Sequence, residues 1–415
     1  MILPTSFIPV AVPPADHEEF FPRHETCALR DFTSMSPPTR ILFVTEAPFI
    51  SGAEKSLQIT VSSLQRFGID VIIATPRSSP MASWCKRSGI RWLPCDFLPT
   101  TRYGTLSVKL NSRQLVRIVE KYDIQMIHAN QIWVNPITAA AAYKAGIPSV
   151  CHLRDCFTRK TIEWYLRPMP TGIICISNYL RACFLSYRAA QNVLSVTLYN
   201  PVRIPSHETI YERDVYRRDL CRTLNVSPGD RLFLFAGQLT PQKGIATLVS
   251  AITMVKKHPI HVCIVGIRNG MHSISDYRTY KLLRELLSLG KVTFLPQQTD
   301  MSWLYRGFDV VIVPSLEEPL GRIPLEAASY GVPAIVSDID GLSETVIPGI
   351  TGWRVRPGDP SALAHAIIEA CEYSLDHIRQ AVCEYAHYHY SAPYYTIKLM
   401  RFYAYVLETH KKHAA

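Results

Sequence analysis

The chain has 415 residues, a length that predicts two or three domains rather than one. With 47% hydrophobic and 19% charged residues it has the composition of a globular protein, and no apolar run reaches the roughly 18 residues that a membrane-spanning helix needs. The net charge of +10 comes without any block of five Lys or Arg residues, so we predict no nucleic-acid partner.

The positive charge is concentrated in the first half of the chain. Residues 1–200 hold 21 Lys or Arg and 13 Asp or Glu, which leaves +8, whereas residues 201–415 carry only +2. A basic surface of this kind would attract anionic lipid head groups or an anionic acceptor, and we therefore consider peripheral contact with an anionic membrane. An ordinary solvated basic surface accounts for the charge equally well.

Eleven scattered cysteines without a CxxC pair indicate reduced thiols and a cytoplasmic location. The cluster of Cys151, His152 and Cys156 fits no usual zinc spacing, and no metal site is predicted there. At the start of the chain, residues 1–39 are proline-rich and lack periodicity, which predicts a disordered extension. An initiation site at Met35 would explain the same segment.

Strand-like and helical patterns then alternate along the rest of the chain. Before residue 200, strands are predicted at 41–44, 71–74, 126–128, 149–151, 172–176 and 193–196, with helices near 53–67, 81–88, 110–121, 135–145 and 178–187. After a Pro-containing, charged stretch at about 200–230, strands are predicted at 232–236, 261–265, 292–295, 309–313 and 334–336, with helices near 245–257, 276–289, 324–331 and 361–373. This alternation predicts an α/β protein with parallel sheets.

The simplest architecture is two Rossmann-like domains that face a central cleft. The first would span residues 40–203 and the second residues 204–385. A helical, aromatic-rich segment at about 386–415 follows after the second pattern is complete, so it is expected to pack elsewhere.

Two glutamates, Glu318 and Glu326, follow the apolar strand at 309–313 in a loop and at the start of a helix that opens near Pro324. Ligands of open α/β sheets bind at the carboxyl ends of parallel strands. Ionised carboxylates only accept hydrogen bonds, and sugar hydroxyls can donate them, so the pair favours hydroxyl recognition. Two solvated glutamates beside a turn are the alternative.

Other polar and glycine residues also follow predicted strands. The loop from Gly237 to Gly244 carries Lys243 and leads into a helix, which is the arrangement of a phosphate site. In the first half, Gly52 follows the first strand, and His152 and His128 end two others, where either could contact a ligand or be structural. Asp338 and Asp340 invite a metal interpretation, which we reject because no third ligand is evident.

Together these segments resemble glycosyltransferase family 4, the retaining nucleotide-sugar transferases of the glycosyltransferase B-type (GT-B) fold. The resemblance covers about residues 40–410 and is strongest at 235–244 and 313–356. Glu318 and Glu326 match the Glu-x7-Glu signature, and residues 237–244 match the Gly-Arg-Leu-x-x-x-Lys-Gly phosphate loop. Weaker matches lie at 175–181, 200–202, 341–344 and 351–352.

The resemblance implies roles for these residues. Lys243 would bind the donor diphosphate, with Gly237, Gln238 and Gly244 in the same loop. Glu326 would accept hydrogen bonds from the ribose, and Glu318 would contact the donor sugar. The remaining donor-side residues would be His152 beside the sugar, Gly52 in the first domain, and the backbone N–H groups of Leu320 and Gly321. The last helix would cross back to the first domain.

The implied activity is a metal-independent, cofactor-free hexosyl transfer from a nucleotide-diphosphate sugar to a glycan or lipid-linked acceptor, in polysaccharide or glycolipid assembly. His152, Lys243 and Glu318 would be the catalytic residues. Gln238 departs from the family arginine and supplies no charge, and Pro319 supplies no N–H. A catalytically weak or silent nucleotide-sugar or glycan-binding member, or a sugar-nucleotide epimerase of the same fold, are the alternatives.

Overall fold

The computed structural model describes residues 36–98, 100–191, 193–205, 213–266, 276–298 and 300–414. The predicted extension at 1–39 therefore lies outside the described residues except for its last four. The described chain divides into two compact units. The C-terminal unit is Val202–Ser391, and the N-terminal unit comprises the residues up to Pro201 together with those from Ala392 onward.

The N-terminal unit is built on a parallel sheet of seven strands in the order β3-β2-β1-β4-β5-β6-β7. The strands are β1 (Arg40–Val44), β2 (Asp70–Thr75), β3 (Arg91–Pro94), β4 (Met126–Ala129), β5 (Ser149–Leu153), β6 (Gly172–Cys175) and β7 (Leu194–Thr197). Its first helices are α1 (Gly52–Arg66), α2 (Pro80–Ser88), α3 (Thr100–Tyr122, broken at Gly104), α4 (Asn135–Ala145), α5 (Arg159–Tyr165) and α6 (Asn178–Leu185). The central strands are buried along their length, as expected for a parallel sheet with both faces covered.

The C-terminal unit repeats this design with six parallel strands in the order β10-β9-β8-β11-β12-β13. The strands are β8 (Arg231–Ala236), β9 (Ile260–Val265), β10 (Val292–Leu295), β11 (Val310–Val313), β12 (Ala334–Ser337) and β13 (Gly352–Val355). The helices are α7 (Arg213–Leu224), α8 (Ile245–Val255), α9 (Tyr277–Ser288), α10 (Ser302–Gly307), α11 (Arg322–Ala328), α12 (Pro360–Glu372) and α13 (Asp376–Tyr390).

The last helix, α14 (Ala392–Ala414), belongs to the N-terminal unit although it follows the C-terminal unit in sequence. Its buried residues Tyr395, Leu399, Tyr403 and Val406 join the same hydrophobic core as β1. Gly172 on β6 marks the close approach, because an added Cβ there would lie 2.8 Å from the Val406 side chain. The aromatic-rich segment thus finds its packing partner in the N-terminal sheet.

Several predicted boundaries are wrong. The helix that carries Glu326 begins at Arg322 rather than near Pro324, so Glu326 lies beyond its first turn. The segment 386–415 is the end of one helix and the whole of another, with a break at Ser391. The prediction missed β3, β13, α5, α7 and α10, and it missed α13 before residue 386.

Both sheets have a point at which the strand order reverses, between β1 and β4 and between β8 and β11. The loops that leave these paired strands diverge at the carboxyl edge of the sheet, and ligands of open α/β sheets bind there. Among the helices that the structure describes, none is both long and apolar enough to cross a membrane.

Candidate functional site

In the C-terminal unit, the loops that follow β8 and β11 contact each other at the point of strand reversal. The Leu316 N–H donates to the Gln242 carbonyl at 2.7 Å. Gly244 has a left-handed φ of 71°, and a Cβ built on it would lie 1.8 Å from the Pro314 carbonyl oxygen. Glycine at position 244 therefore allows the phosphate-type loop to approach the β11 loop, which brings Lys243 to the glutamates.

Replacing Gly244 with alanine should destabilise the C-terminal unit through two separate effects. The left-handed φ costs about 1–2 kcal/mol for a residue with a Cβ, and the overlap with Pro314 adds about 1–3 kcal/mol. Gly290→Ala is the matched control, since its φ is 65° but no atom lies within 4 Å of the added Cβ. In urea unfolding, the Gly244→Ala variant should have a lower free energy of unfolding than the Gly290→Ala variant. Equal losses of unfolding free energy would contradict the close approach of Gly244 to Pro314.

Lys243 and Glu318 are brought into direct contact. The Lys243 ammonium donates to Glu318 Oε2, and the two side chains keep 34% and 16% of their surface exposed. The Glu318 N–H in turn donates to Asp340 Oδ2 at 3.2 Å, which fixes the loop. An ammonium has three donors, so Lys243 can hold Glu318 and still donate to a phosphate oxygen.

Glu326 is held on α11 by two neighbours. Arg322, one turn earlier, donates through Nε to Glu326 Oε1 at 3.0 Å, and the Tyr305 hydroxyl donates to Oε2 at 3.1 Å. Burial, together with the Glu326 charge, raises the pKa of Tyr305 well above its ordinary value, so the phenol stays protonated. Arg322 Nη2 also lies 2.9 Å from Oε1, so Oε2 is the oxygen that retains a lone pair for a hydroxyl donor.

The other predicted residues of this unit lie in the same two loops or beside them. Gln238 is exposed, Gly237 follows β8 directly, and Leu320 is buried. Gly321 precedes α11 with φ of 87°, and an added Cβ would meet Leu342 at 2.9 Å. Asp338 forms an ion pair with Arg354 at 3.8 Å. Among the residues that the structure describes, no group of three or more His, Cys, Asp or Glu could hold a metal ion.

In the N-terminal unit, Gly52 is the first residue of α1, which is capped by Ser51. The Glu54 carboxylate accepts from the Ser51 N–H at 3.0 Å, and the Ser51 hydroxyl accepts from Ala53, which forms a capping box. Glu54 also accepts from the Gln131 side chain at 2.7 Å. This bond ties the first turn of α1 to the loop after β4 at the second point of strand reversal.

The two histidines singled out from the sequence meet inside this unit. His152, on β5, is 2% exposed, and its Nδ1 lies 3.2 Å from His128 Nε2 and 3.3 Å from Arg154 Nη2. Arg154 also donates to Asn130 at 2.9 Å and to Asn200 at 2.8 Å. Burial and the nearby Arg154 charge lower the pKa of both histidines, that of His128 to about 3. Both rings are therefore neutral at physiological pH.

The predicted residues are held in place by four side chains that were not predicted from the sequence: Arg322, Tyr305, Arg154 and Tyr403. Arg322 was detectable, because a basic residue four positions before a glutamate on a helix forms an ion pair. Tyr305 and Tyr403 carried no local signal, since each contacts its partner from a distant element.

Comparison with known proteins places both units in known families. The model of the family described as Glycosyl transferases group 1 matches residues 218–387, and that of Glycosyltransferase Family 4 matches residues 50–204. An uncharacterized glycosyltransferase of Methanocaldococcus jannaschii is 33% identical over 151 residues, which are 35% of this chain and 37% of that protein. A D-inositol 3-phosphate glycosyltransferase of Nocardia farcinica is 33% identical over 150 residues, 35% of this chain and 33% of that protein. The alignments thus span only about a third of these curated relatives.

Solved structures match over nearly the whole chain at low sequence identity. A glycosyltransferase from Rickettsia africae has a TM-score of 0.77 at 18% identity and covers 89% of this chain and 98% of its own. Anabaena HepE in complex with UDP-glucose has a TM-score of 0.68 at 20% identity and covers 90% and 99%. Because the two family models together match most of the chain and these neighbours share its fold, the chain belongs to glycosyltransferase family 4 and has the GT-B fold.

Proposed function

We propose that this protein is a retaining hexosyltransferase that takes a sugar from a nucleotide-diphosphate donor and passes it to a glycan or lipid-linked acceptor. The observation that carries the proposal is the contact between Lys243 and Glu318 at the point where the strand order of the C-terminal sheet reverses. A cation for phosphate and a carboxylate for hydroxyls stand side by side there, with Glu326 on the adjoining helix α11.

Relatives and structural neighbours support a nucleotide-sugar donor. HepE was crystallised with UDP and with UDP-glucose, and other neighbours are a lipopolysaccharide outer core galactosyltransferase and a sucrose-phosphate synthase. We propose that the present protein likewise takes a UDP- or GDP-linked sugar. An acceptor in polysaccharide or glycolipid assembly, cytoplasmic location and peripheral contact of the basic first half with an anionic membrane belong to the same proposal.

For this reaction the protein has to stabilise the negative charge on the departing diphosphate. Lys243 would donate to its oxygens, and the N–H groups at the start of α8 would face the same charge, since α8 begins directly after Gly244. Glu326 would hold the ribose hydroxyls and Glu318 a sugar hydroxyl. No carboxylate is assigned as a nucleophile. Instead, the oxygen of the departing diphosphate would take the proton of the acceptor hydroxyl on the same face of the sugar. No metal ion is proposed to take part.

Gln238 favours a second candidate, a silent family member that binds the donor without transferring sugar. The exposed amide replaces a charged arginine next to the proposed diphosphate position. Loss of one charge-assisted hydrogen bond costs about 1.5–3 kcal/mol, which is on the order of tenfold to a hundredfold in rate. Donor binding without transfer or hydrolysis across many acceptors would favour this candidate over the enzyme.

Calorimetric titration with a panel of UDP- and GDP-sugars is expected to detect a complex with at least one donor. Glu326→Ala should then weaken that complex about tenfold or more, because a hydroxyl-to-carboxylate bond that contributes about 1.5 kcal/mol or more is lost. Glu326→Gln separates charge from packing, since the amide oxygen can still accept from Tyr305. Glu285→Ala, an exposed pairing glutamate in the same unit, is the control. Folded protein that binds no donor would refute the proposed function.

A further inference from the structure

A groove with a volume of about 610 Å³ lies on the N-terminal unit, between helix α5 and the segment that follows helix α6. This volume is within the range of roughly 300–1,000 Å³ that is typical of small-molecule sites. The floor is apolar, because Ile162, Leu166 and Ala190 line the groove and are each at most 7% exposed. All of the lining residues lie between positions 159 and 190, so the groove is separate from the candidate site in the C-terminal unit.

Hydrogen bonds hold both walls of the groove in place. The buried Asn135 amide donates to the Tyr165 carbonyl at 2.7 Å and to the Pro168 carbonyl at 3.1 Å, which fixes the turn after α5. On the other side, the Tyr187 hydroxyl donates to the Phe157 carbonyl at 3.1 Å. A ligand would therefore meet a groove that is already formed, and little ordering would oppose its binding.

The polar residues of the groove give it a positive charge. Arg159, Arg167 and Arg188 line it together with the single acid Glu163, which gives a net charge of 3 − 1 = +2. Arg159 already donates to Glu163 at 2.8 Å. Arg167 and Arg188 are exposed, and within the described parts of the chain neither forms a hydrogen bond or a salt bridge. A guanidinium matches the geometry of a phosphate, so these two arginines favour a phosphate-bearing ligand.

Large apolar side chains are exposed next to these charges. Trp164 on α5 is 49% exposed, Met169 at the groove is 36% exposed, and Trp133 is 38% exposed and packs edge-on against Tyr165. Tryptophan is enriched where an apolar phase meets water, and arginines beside it can contact lipid phosphates. A soluble sugar phosphate would use the arginines but would leave the apolar floor and the exposed aromatic side chains in water. The combination favours a lipid.

We propose that this groove binds the phosphate group of a membrane lipid. Arg167 and Arg188 donate to the phosphate oxygens, and the beginning of the apolar chain lies on the floor of the groove. This inference deepens the proposed function, because it makes the acceptor a lipid that carries a phosphate group, and it rests on that function only for the transfer of sugar. It also assigns the membrane contact to one defined place on the N-terminal unit.

Sedimentation of the full chain with phosphatidylcholine vesicles tests the two arginines. Vesicles that contain phosphatidic acid should bind the protein, and vesicles of phosphatidylcholine alone should not. Combining Arg167→Ala with Arg188→Ala should weaken the binding about tenfold to a hundredfold, as expected when two arginines leave an anionic surface. The matched control combines Arg66→Ala with Arg87→Ala, which removes the same charge from exposed ends of α1 and α2 in the same unit. Equal weakening by both pairs would overturn the proposal in favour of a diffuse basic surface.

Two further measurements separate a lipid from a free phosphate. Glycerol 3-phosphate should not displace the protein from the vesicles, because it has no apolar chain, and displacement would overturn the assignment to a lipid. Met169→Ser should weaken vesicle binding about threefold to tenfold, whereas Met254→Ser, at a more exposed methionine of the C-terminal unit, should not. Equal binding by these two variants would mean that no apolar chain lies in the groove.

The fate of the lipid site can be distinguished from that of the proposed function. Loss of Arg167 and Arg188 should leave the dissociation constant of UDP unchanged, since both lie outside the C-terminal unit. If no donor binds but vesicle binding depends on these arginines, the transferase proposal fails and the lipid site stands. If the protein transfers sugar but vesicle binding does not depend on them, only the lipid site is refuted.

Discussion

Replacing Asp309 with asparagine is expected to lower the free energy of unfolding of the C-terminal unit by about 3–5 kcal/mol. Asp309 is 5% exposed, and its carboxylate accepts from Arg213 at 2.6 Å, from Arg217 at 2.7 Å and from the Leu232 N–H at 2.8 Å. Arg379 approaches the same carboxylate to 3.4 Å. Without the negative charge, several partly buried guanidinium groups would repel one another at the amino end of β11. Urea unfolding at pH 7 measures the loss.

The same variant tests the pH dependence of stability. Burial alone would raise the pKa of Asp309, but Arg217 and Arg213 outweigh burial and leave it below the ordinary value. The stabilisation is therefore present above the unfolded-state pKa of about 3.9 and is lost as the pH falls through the folded-state pKa. The difference in unfolding free energy between parent and Asp309→Asn should be largest near neutral pH and should shrink below about pH 4.

Glu285→Gln is the control for this prediction, since Glu285 pairs with Lys256 on the surface of the same unit at 2.7 Å. Exposed ion pairs contribute about 0–1 kcal/mol, so its loss should be small and should depend little on pH. If both substitutions lowered the free energy of unfolding equally, the buried Asp309 carboxylate would not be what holds the arginines in place.

The fold was predictable where burial leaves a clear pattern. Apolar runs such as 232–236 and 309–313 are strands because both faces of a parallel sheet are covered, and the structure has β8 and β11 at these positions. Helix α7 was missed because only Leu220, Cys221 and Leu224 on it are buried. Its arginines, which gave the stretch the composition of a linker, instead bind Asp309.

The sequence was sufficient to predict those residues of the candidate site that directly follow strands. The carboxyl ends of parallel strands lie at one edge, so the sequence could bring Lys243 near Glu318 without knowledge of the sheet order. The contacts that set the state of these side chains could not be predicted. Tyr305 and Tyr403 approach Glu326 and His128 from elements that are distant in sequence, and His128 meets His152 because β4 and β5 are neighbouring strands of the sheet.

Lys243→Ala should weaken the binding of UDP and of UDP-glucose, used as probes, by about tenfold to a hundredfold. The lost contact to the diphosphate is charge-assisted and contributes about 1.5–3 kcal/mol. The substitution also leaves the Glu318 carboxylate unpaired, which would repel the anionic donor. Lys256→Ala is the matched control, because Lys256 has 35% of its side chain exposed against 34% for Lys243 and also pairs with a glutamate.

Glu318→Gln should have the opposite effect on nucleotide binding, and the comparison separates the two halves of the pair. Without the carboxylate, Lys243 loses a competing acceptor, so UDP should bind as tightly as to the parent or more tightly. Sugar transfer should nevertheless fall, because a neutral amide accepts the sugar hydroxyl bond about half as strongly as a carboxylate. If Glu318→Gln weakens UDP as much as Lys243→Ala does, the pair acts only as a structural ion pair that shapes the loop, and neither residue contacts the donor as proposed.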